Sequence, residues 1–335
     1  MPIHTPPDPV LILAPIRGIT DVVYRDAFAR CFGGFDRAIA PYLQARRGQA
    51  LRSVDLRQVA PEQNRRLRTI PQVLTNHGES LAAALRELHD AGHEEVGWNL
   101  GCPTPNVAGR GRGCGLLPTP ERIDAILAHA LEATPVRLSV KIRLGFRNPD
   151  EYVAVLEVLN RYPLTEVTLH ARTGYQMYSG SADVDRAVHA LGLCRHPFVF
   201  NGDITDPAGF QVLGRRLPDA AGWMIGRGAL RCPFLPTLLR ENPELPPSGS
   251  APLPPEGVRR RILREFHDLL LDGYSRWLSG PGHLLDRLKG HWQYLAFSFA
   301  SPQRIHAHIR RSGDLAAYTA AVDWVFDRAL AETGP

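Results

Sequence analysis

The residues best suited to chemistry lie in one thirteen-residue stretch, Asn99 to Gly111, which reads N-L-G-C-P-T-P-N-V-A-G-R-G. Cys102 stands there between Gly101 and Pro103, just after an apolar run, in a segment too rich in glycine and proline to extend a strand or a helix. A cysteine is ordinarily an inert buried hydrophobe. A loop that holds the thiol partly exposed, beside G-R-G-R-G, lets it give a proton to a bound substrate. Cys114 shares the segment and reads as structural, and Cys31, Cys194 and Cys232 carry no chemical context. An odd number of scattered cysteines with no C-x-x-C pair argues against a disulfide framework and a zinc site.

Other polar residues recur at intervals. Lys141, in V-K-I-R-L, has apolar neighbours and projects where a cation stabilises negative charge on a bound ligand, or else pairs with a carboxylate structurally. His170 closes T-L-H-A-R as a donor to a phosphate or other ligand oxygen, or as a structural histidine. In L-A-P-I-R-G-I-T-D, Pro15 and Gly18 let the backbone approach a ligand, while Thr20 or Asp21 caps the helix that follows. Asn201-Gly202-Asp203 and Gly226-Arg227-Gly228 leave N–H groups free for an anion, or form ordinary tight turns.

Each of these residues stands at the end of a short apolar segment. The pattern predicts strands over Val10–Ala14, Arg37–Pro41, Ile70–Leu74, Glu95–Leu100, Leu138–Arg143, Glu166–His170, Phe198–Asn201 and Gly222–Ile225. Helical periodicity follows them, for example over Asp21–Cys31, Ser80–Ala91, Pro120–Ala133, Asp150–Leu159 and Asp206–Leu213. Eight such units predict an α/β fold, a (β/α)8 TIM barrel over residues 1–241. Its chemistry belongs at the C-terminal strand ends, where Pro15, Gln72, Asn99, Lys141, His170, Asn201 and Gly226 fall, with phosphate favoured after strands seven and eight. A proline-dense linker is expected over 242–257, and helical periodicity over 258–335 predicts a small all-helical domain whose arginines hold an RNA backbone or merely cap the barrel.

The chain has 335 residues, 44% of them hydrophobic, and a net charge of +5, which is enough for one large core but too modest an excess to identify a nucleic-acid partner. Seven arginines between Arg46 and Arg68 face only Asp55 and Glu62, so the segment reads either as a phosphate-binding patch or as a solvated helix face. No apolar run reaches the roughly 20 residues of a membrane span and no signal-peptide pattern opens the sequence, so a cytoplasmic protein is expected.

Taken in order, A-P-I-R-G-I-T-D, P-Q-V-L, N-L-G-C-P, G-R-G-C-G-L-L, V-K-I-R-L-G, L-H-A-R-T, N-G-D-I and M-I-G-R-G-A-L resemble the tRNA-dihydrouridine synthase family over nearly the whole chain. R-L-K-G-H-W-Q-Y-L at 287 to 295 is similar to the subfamily acting at tRNA position 16. The resemblance implies FMN against Pro15, Ile16, Arg17, Gln72, Lys141, His170, Asn201, Gly202, Asp203, Gly226 and Arg227, with Cys102 as proton donor. It further implies that Asn99 and Arg143 lie beside the flipped uridine and that Arg287 and Lys289 touch the tRNA backbone. Ile16 stands where the family commonly has methionine, and Asn106 where it frequently has lysine. The implied reaction is NADPH-driven reduction of a D-loop uridine by a monomeric enzyme, with hydride passing from flavin N5 to C6 and a proton from Cys102 to C5. Two alternatives share many of these features: a flavin barrel acting on a free pyrimidine or other small molecule, and a non-catalytic RNA-binding protein.

Overall fold

A computed structural model describes residues 9–132, 136–241 and 252–331. Among the described residues, ten ladder segments form one sheet in which every pairing is parallel. They make eight strands, because two strands are each interrupted. Strand β1 is Leu11–Leu13; β2 is Arg37–Ile39 continued by Leu43–Gln44; β3 is Thr69–Ile70 continued by Gln72–Leu74. Then come β4 (Glu95–Leu100), β5 (Arg137–Gly145), β6 (Leu164–Thr173), β7 (Phe198–Asn201) and β8 (Gly222–Ile225). The interruptions contain Pro41 and Pro71, which lack the N–H a ladder needs. Since both halves of β2 pair with the two halves of β3, and β8 pairs with β1, the ring of eight closes as a (β/α)8 barrel.

The helices in chain order are α1 (Val22–Cys31), α2 (Ser53–Val59), α3 (Gly78–Asp90), α4 (Pro105–Ala108), α5 (Pro120–Leu131), α6 (Tyr152–Leu159) and α7 (Val184–Leu193). They continue with α8 (Pro207–Arg216), α9 (Arg227–Arg231), α10 (Leu235–Glu241), α11 (Glu256–Trp277), α12 (Pro281–Leu295), α13 (Pro302–Arg310) and α14 (Leu315–Phe326). Helices α11 to α14 form the C-terminal all-helical region. Most of the predicted linker, 242–251, lies outside the described residues.

Two compact units emerge. The first contains all eight strands and comprises residues up to Pro15, Asp36–Asp203 and Leu213–Ile225. Its core includes Ile12, Ala14, Ile39, Ile70, Val199 and Met224, contributed by five consecutive strands around the ring and all buried. The second comprises Ile16–Phe35, Ile204–Val212 and the chain from Gly226 onward, so α1, α9 and α10, although they precede position 242, belong with the C-terminal helices. Apolar and aromatic packing explains this grouping. Phe28 and Phe32 of the α1 region meet Phe266 of α11 with ring centroids 6.4 and 5.0 Å apart, and Phe32 meets Phe234 at 5.2 Å.

Candidate active site

In the barrel unit, three side-chain groups gather at the C-terminal ends of the strands. The first builds the cysteine loop. Near the end of β4, the Asn99 Oδ1 accepts hydrogen bonds from the backbone N–H of Gly101 at 3.1 Å and of Cys102 at 2.9 Å, while its Nδ2 donates to Gln72 Oε1 at 2.6 Å. Asn99 is therefore buried and largely engaged by its own loop, whereas Cys102 stays partly exposed, its Sγ 3.3 Å from Thr104 Oγ1. On the other side Arg143 Nε donates to Gly101 O at 2.8 Å, and its Nη1 donates to the carbonyls of Thr173 and Met177, both at 2.8 Å. Arg143 thus joins the loop after β4 to the loop after β6. Burial pushes its guanidinium pKa down.

Gly113 closes the same loop. It has φ +54°, and an added Cβ would sit 2.6 Å from Cys102 O, so only glycine allows Cys114 N to reach that carbonyl at 3.2 Å. Cys114 itself is fully buried, which pushes its thiol up to about 12 and leaves it structural.

The second group is a lysine–amide pair. Lys141 Nζ, on β5, donates to Asn201 Oδ1 at 2.8 Å, and Asn201 Nδ2 donates to Met224 O at 2.7 Å, which fixes which end of the amide faces the lysine. Burial and the neighbouring Arg143 charge push the ammonium down to about 7. Lys141 is one of only two lysines among 39 basic residues in the chain. An arginine there could not become neutral near pH 7.

The third group follows β6. Arg172, fully buried, grips Asp203 through Nη2 at 2.8 and 2.6 Å and donates to Ser179 O at 3.2 Å and Gly180 O at 2.7 Å. Its Nη1 lies 3.3 Å from His170 Nε2. Since a guanidinium can only donate, Nε2 accepts and the imidazole proton sits on Nδ1. Arg172 was not among the site residues expected from sequence. It stands two residues past His170 on the same strand face, and the period-two alternation of T-L-H-A-R-T carries that signal.

Pro15, Gln72, Lys141, His170, Asn201, Gly202 and Asp203 all stand in the barrel unit, with Cys102, Asn99 and Arg143. Ile16, Arg17, Gly226 and Arg227 belong to the second unit. There Ile16 N donates to Thr20 Oγ1 at 2.8 Å, Asp21 caps α1 by accepting from Tyr24 N at 3.1 Å, and Gly226 precedes α9.

Both basic residues expected at the RNA backbone have internal partners. Arg287 Nη1 donates to Gly18 O and to Asp21 Oδ2, each at 2.9 Å, and Tyr274 OH donates to Asp21 Oδ1 at 2.8 Å. The ring of His291 completes this buried network, its Nε2 lying 2.9 Å from Tyr274 OH; burial pushes its pKa down to about 3, so it is neutral. Lys289 Nζ donates to Ser312 O. The Arg46 to Arg68 run is also divided. Arg46 and Arg47 follow β2 at the end of the barrel that carries Cys102, whereas Arg65, Arg66 and Arg68 precede β3 at the opposite end, where Arg68 pairs with Glu95 at 2.9 Å.

A model of the Dihydrouridine synthase (Dus) family matches residues 12–255. Among curated proteins, one of Rhodobacter capsulatus, called a "Probable tRNA-dihydrouridine synthase", is 29% identical over 95% of this chain and 95% of its own. A tRNA-dihydrouridine(16) synthase of Cupriavidus necator is 28% identical over 91% and 93%. A tRNA-dihydrouridine synthase B of Yersinia pestis is 29% identical over 77% and 80%. Among solved structures, a variant of NCR from Zymomonas mobilis superposes with a TM-score of 0.50 at 12% identity, covering 74% of this chain and 88% of that one, a likeness of fold.

Proposed function

Since the chain belongs to the dihydrouridine synthase family, we propose that it reduces the C5–C6 double bond of a tRNA uridine to 5,6-dihydrouridine, with FMN as its cofactor and NADPH as reductant. The names of the Rhodobacter, Cupriavidus and Yersinia proteins support tRNA as the substrate. The D-loop uridine at position 16 is the proposed target, supported by the Cupriavidus protein and by R-L-K-G-H-W-Q-Y-L at 287 to 295. The observation that carries the reading is a partly exposed thiol, held by Asn99 and Arg143, at the same barrel end as the Lys141–Asn201 pair.

The residues suit a flavin. Lys141, His170, Arg172 and the amides of Gln72 and Asn201 make a site rich in donors, with Asp203 paired to Arg172, which matches an anionic ring system and a phosphate. Pro15, Gln72, Lys141, His170, Asn201, Gly202 and Asp203, all of the barrel unit, would hold it. Bound FMN, reduced by NADPH, would supply the hydride that adds to uracil C6.

Cys102 gives its proton to C5, so the double bond takes up one hydride and one proton, and the resulting thiolate regains a proton from water. Asn99 and Arg143 hold the loop that aims Cys102 and border the space for the base. Lys141, held by Asn201, would set a positive charge where a reduced cofactor gains negative charge. A uridine stacked within folded tRNA cannot reach a barrel mouth, so it must be extruded, and the C-terminal helices are the proposed grip on the RNA.

The test is mass spectrometry of tRNA nucleosides, position by position, from cells lacking the gene and complemented with the wild type or Cys102→Ala. The expected result is loss of dihydrouridine at position 16, restored only by the wild type, with purified Cys102→Ala retaining FMN and its reduction by NADPH. An unchanged dihydrouridine profile would reject the reading, and full complementation by Cys102→Ala would reject the proton donor.

A further inference from the structure

The rim of the barrel bears an aromatic and cationic cluster that the reaction above does not use. Tyr175, just after β6, is 61% exposed, the highest value among the large hydrophobic side chains of the described residues. Its ring meets Phe146, from the loop after β5, edge to face with centroids 5.4 Å apart. The exposed Arg147 guanidinium lies 4.9 Å from the Tyr175 ring centre and 5.8 Å from that of Phe146.

The backbone beneath is held firmly. Gly174 N donates to Gly145 O at 2.8 Å and Tyr175 N to Phe146 O at 3.0 Å, so the two loops are stitched together. Glu151 accepts from Phe146 N at 2.7 Å and Asn148 N at 3.1 Å, which fixes the turn carrying Arg147. An added Cβ on Gly174 would stand 2.5 Å from Cys114 Sγ, so this loop is packed directly against the segment whose Cys114 N reaches Cys102 O. The cluster is therefore continuous with the cysteine loop. A tyrosine so exposed contributes little to the core, and an arginine stacked beside it keeps its charge toward solvent.

We propose that Tyr175, backed by Phe146 and Arg147, is a stacking platform for an unpaired nucleobase of the RNA flanking the target uridine. This rests on the tRNA reading above. Extruding one uridine unstacks its neighbours, and an exposed aromatic ring on the rim recaptures one of them while the guanidinium faces the phosphate backbone. The Tyr175 ring and the Arg147 guanidinium are both exposed, which suits a strand passing over the barrel better than an enclosed dinucleotide.

Steady-state kinetics with an unmodified tRNA transcript separates the possibilities, using Tyr175→Phe, Tyr175→Leu and Arg147→Met beside the wild type. Tyr175→Phe keeps the π face and should behave as wild type. Tyr175→Leu keeps apolar bulk without it and should raise KM and Kd for tRNA on the order of tenfold, the scale of one lost base stack. Arg147→Met should weaken tRNA binding less and reduce its salt dependence. Melting temperatures and the KM for NADPH should match the wild type in all three. Tyr175→Leu indistinguishable from wild type toward tRNA overturns the platform alone, as does a raised KM for NADPH with tRNA binding intact, which would mark a dinucleotide site. A wild type that neither binds the transcript nor makes dihydrouridine overturns the tRNA reading and the platform with it.

Discussion

Lys141 offers the most direct test of the site's electrostatics. Its folded pKa of about 7 lies below the ordinary 10.5, because burial and Arg143 both penalise the charged form. A depressed lysine pKa means that the unfolded chain holds a proton the folded chain lacks, so the penalty is complete below pH 7 and fades as pH rises toward 10.5. Each pH unit over which that difference is complete contributes about 1.4 kcal/mol. Between pH 7 and 9 the folded amine goes from half to almost wholly neutral while the unfolded one stays charged, so stability should rise by about 2 kcal/mol from this residue. Lys141→Met should lack that rise. The assay is the urea midpoint of flavin-free wild type and variant at both pH values, with NMR of protein carrying carbon-13 at lysine Cε. The chain has only two lysines, so the signal that vanishes in Lys141→Met is thereby assigned. That signal should titrate near 7, and adding FMN should raise its midpoint by giving the ammonium an acceptor. A Lys141 signal titrating close to 10.5 in the flavin-free protein would refute the reasoning, and so would an equal pH rise in the variant.

Two further outcomes follow from the hydrogen bonds. Asn99→Ala removes the acceptor of two backbone N–H groups and the donor to Gln72, and should cost about 2 kcal/mol in thermal unfolding and far more in product formation than in NADPH-driven flavin reduction. Unaltered product formation would show that the loop holds Cys102 without it. Arg287→Met leaves Asp21 buried with Tyr274 and the Tyr24 N–H as its donors among the described residues and Arg25 as the nearby charge, and should lower stability by about 2 kcal/mol, less than a fully buried pair because Arg287 is partly exposed. A variant with unchanged melting temperature and weakened tRNA binding would show instead that Arg287 acts at the RNA backbone.

Much of the architecture was legible before folding was considered. Eight short apolar runs at helical spacing predict a barrel, and the Gly/Pro-rich context of Cys102 singles out one thiol among five, because both signals are local. Strand ends were less legible. Ending the sixth strand at His170 leaves out Arg172, although the ladder runs to Thr173, where pairing to β5 continues through Gly145. A strand's last residues are defined by what a neighbour offers, which a single segment does not encode.

Sequence by itself determined the fold class, the family and the loop that presents the thiol, since these depend on residue type, order and spacing. Only tertiary structure decided what each charged side chain does. It splits the Arg46 to Arg68 run between opposite barrel ends, ties Arg287 to Gly18 and Asp21 and Lys289 to Ser312, and gives Lys141 the surroundings that push it down to about 7. A charge takes its role from the dielectric and the partners around it, and partners 23 to 269 residues away along the chain meet only when it folds.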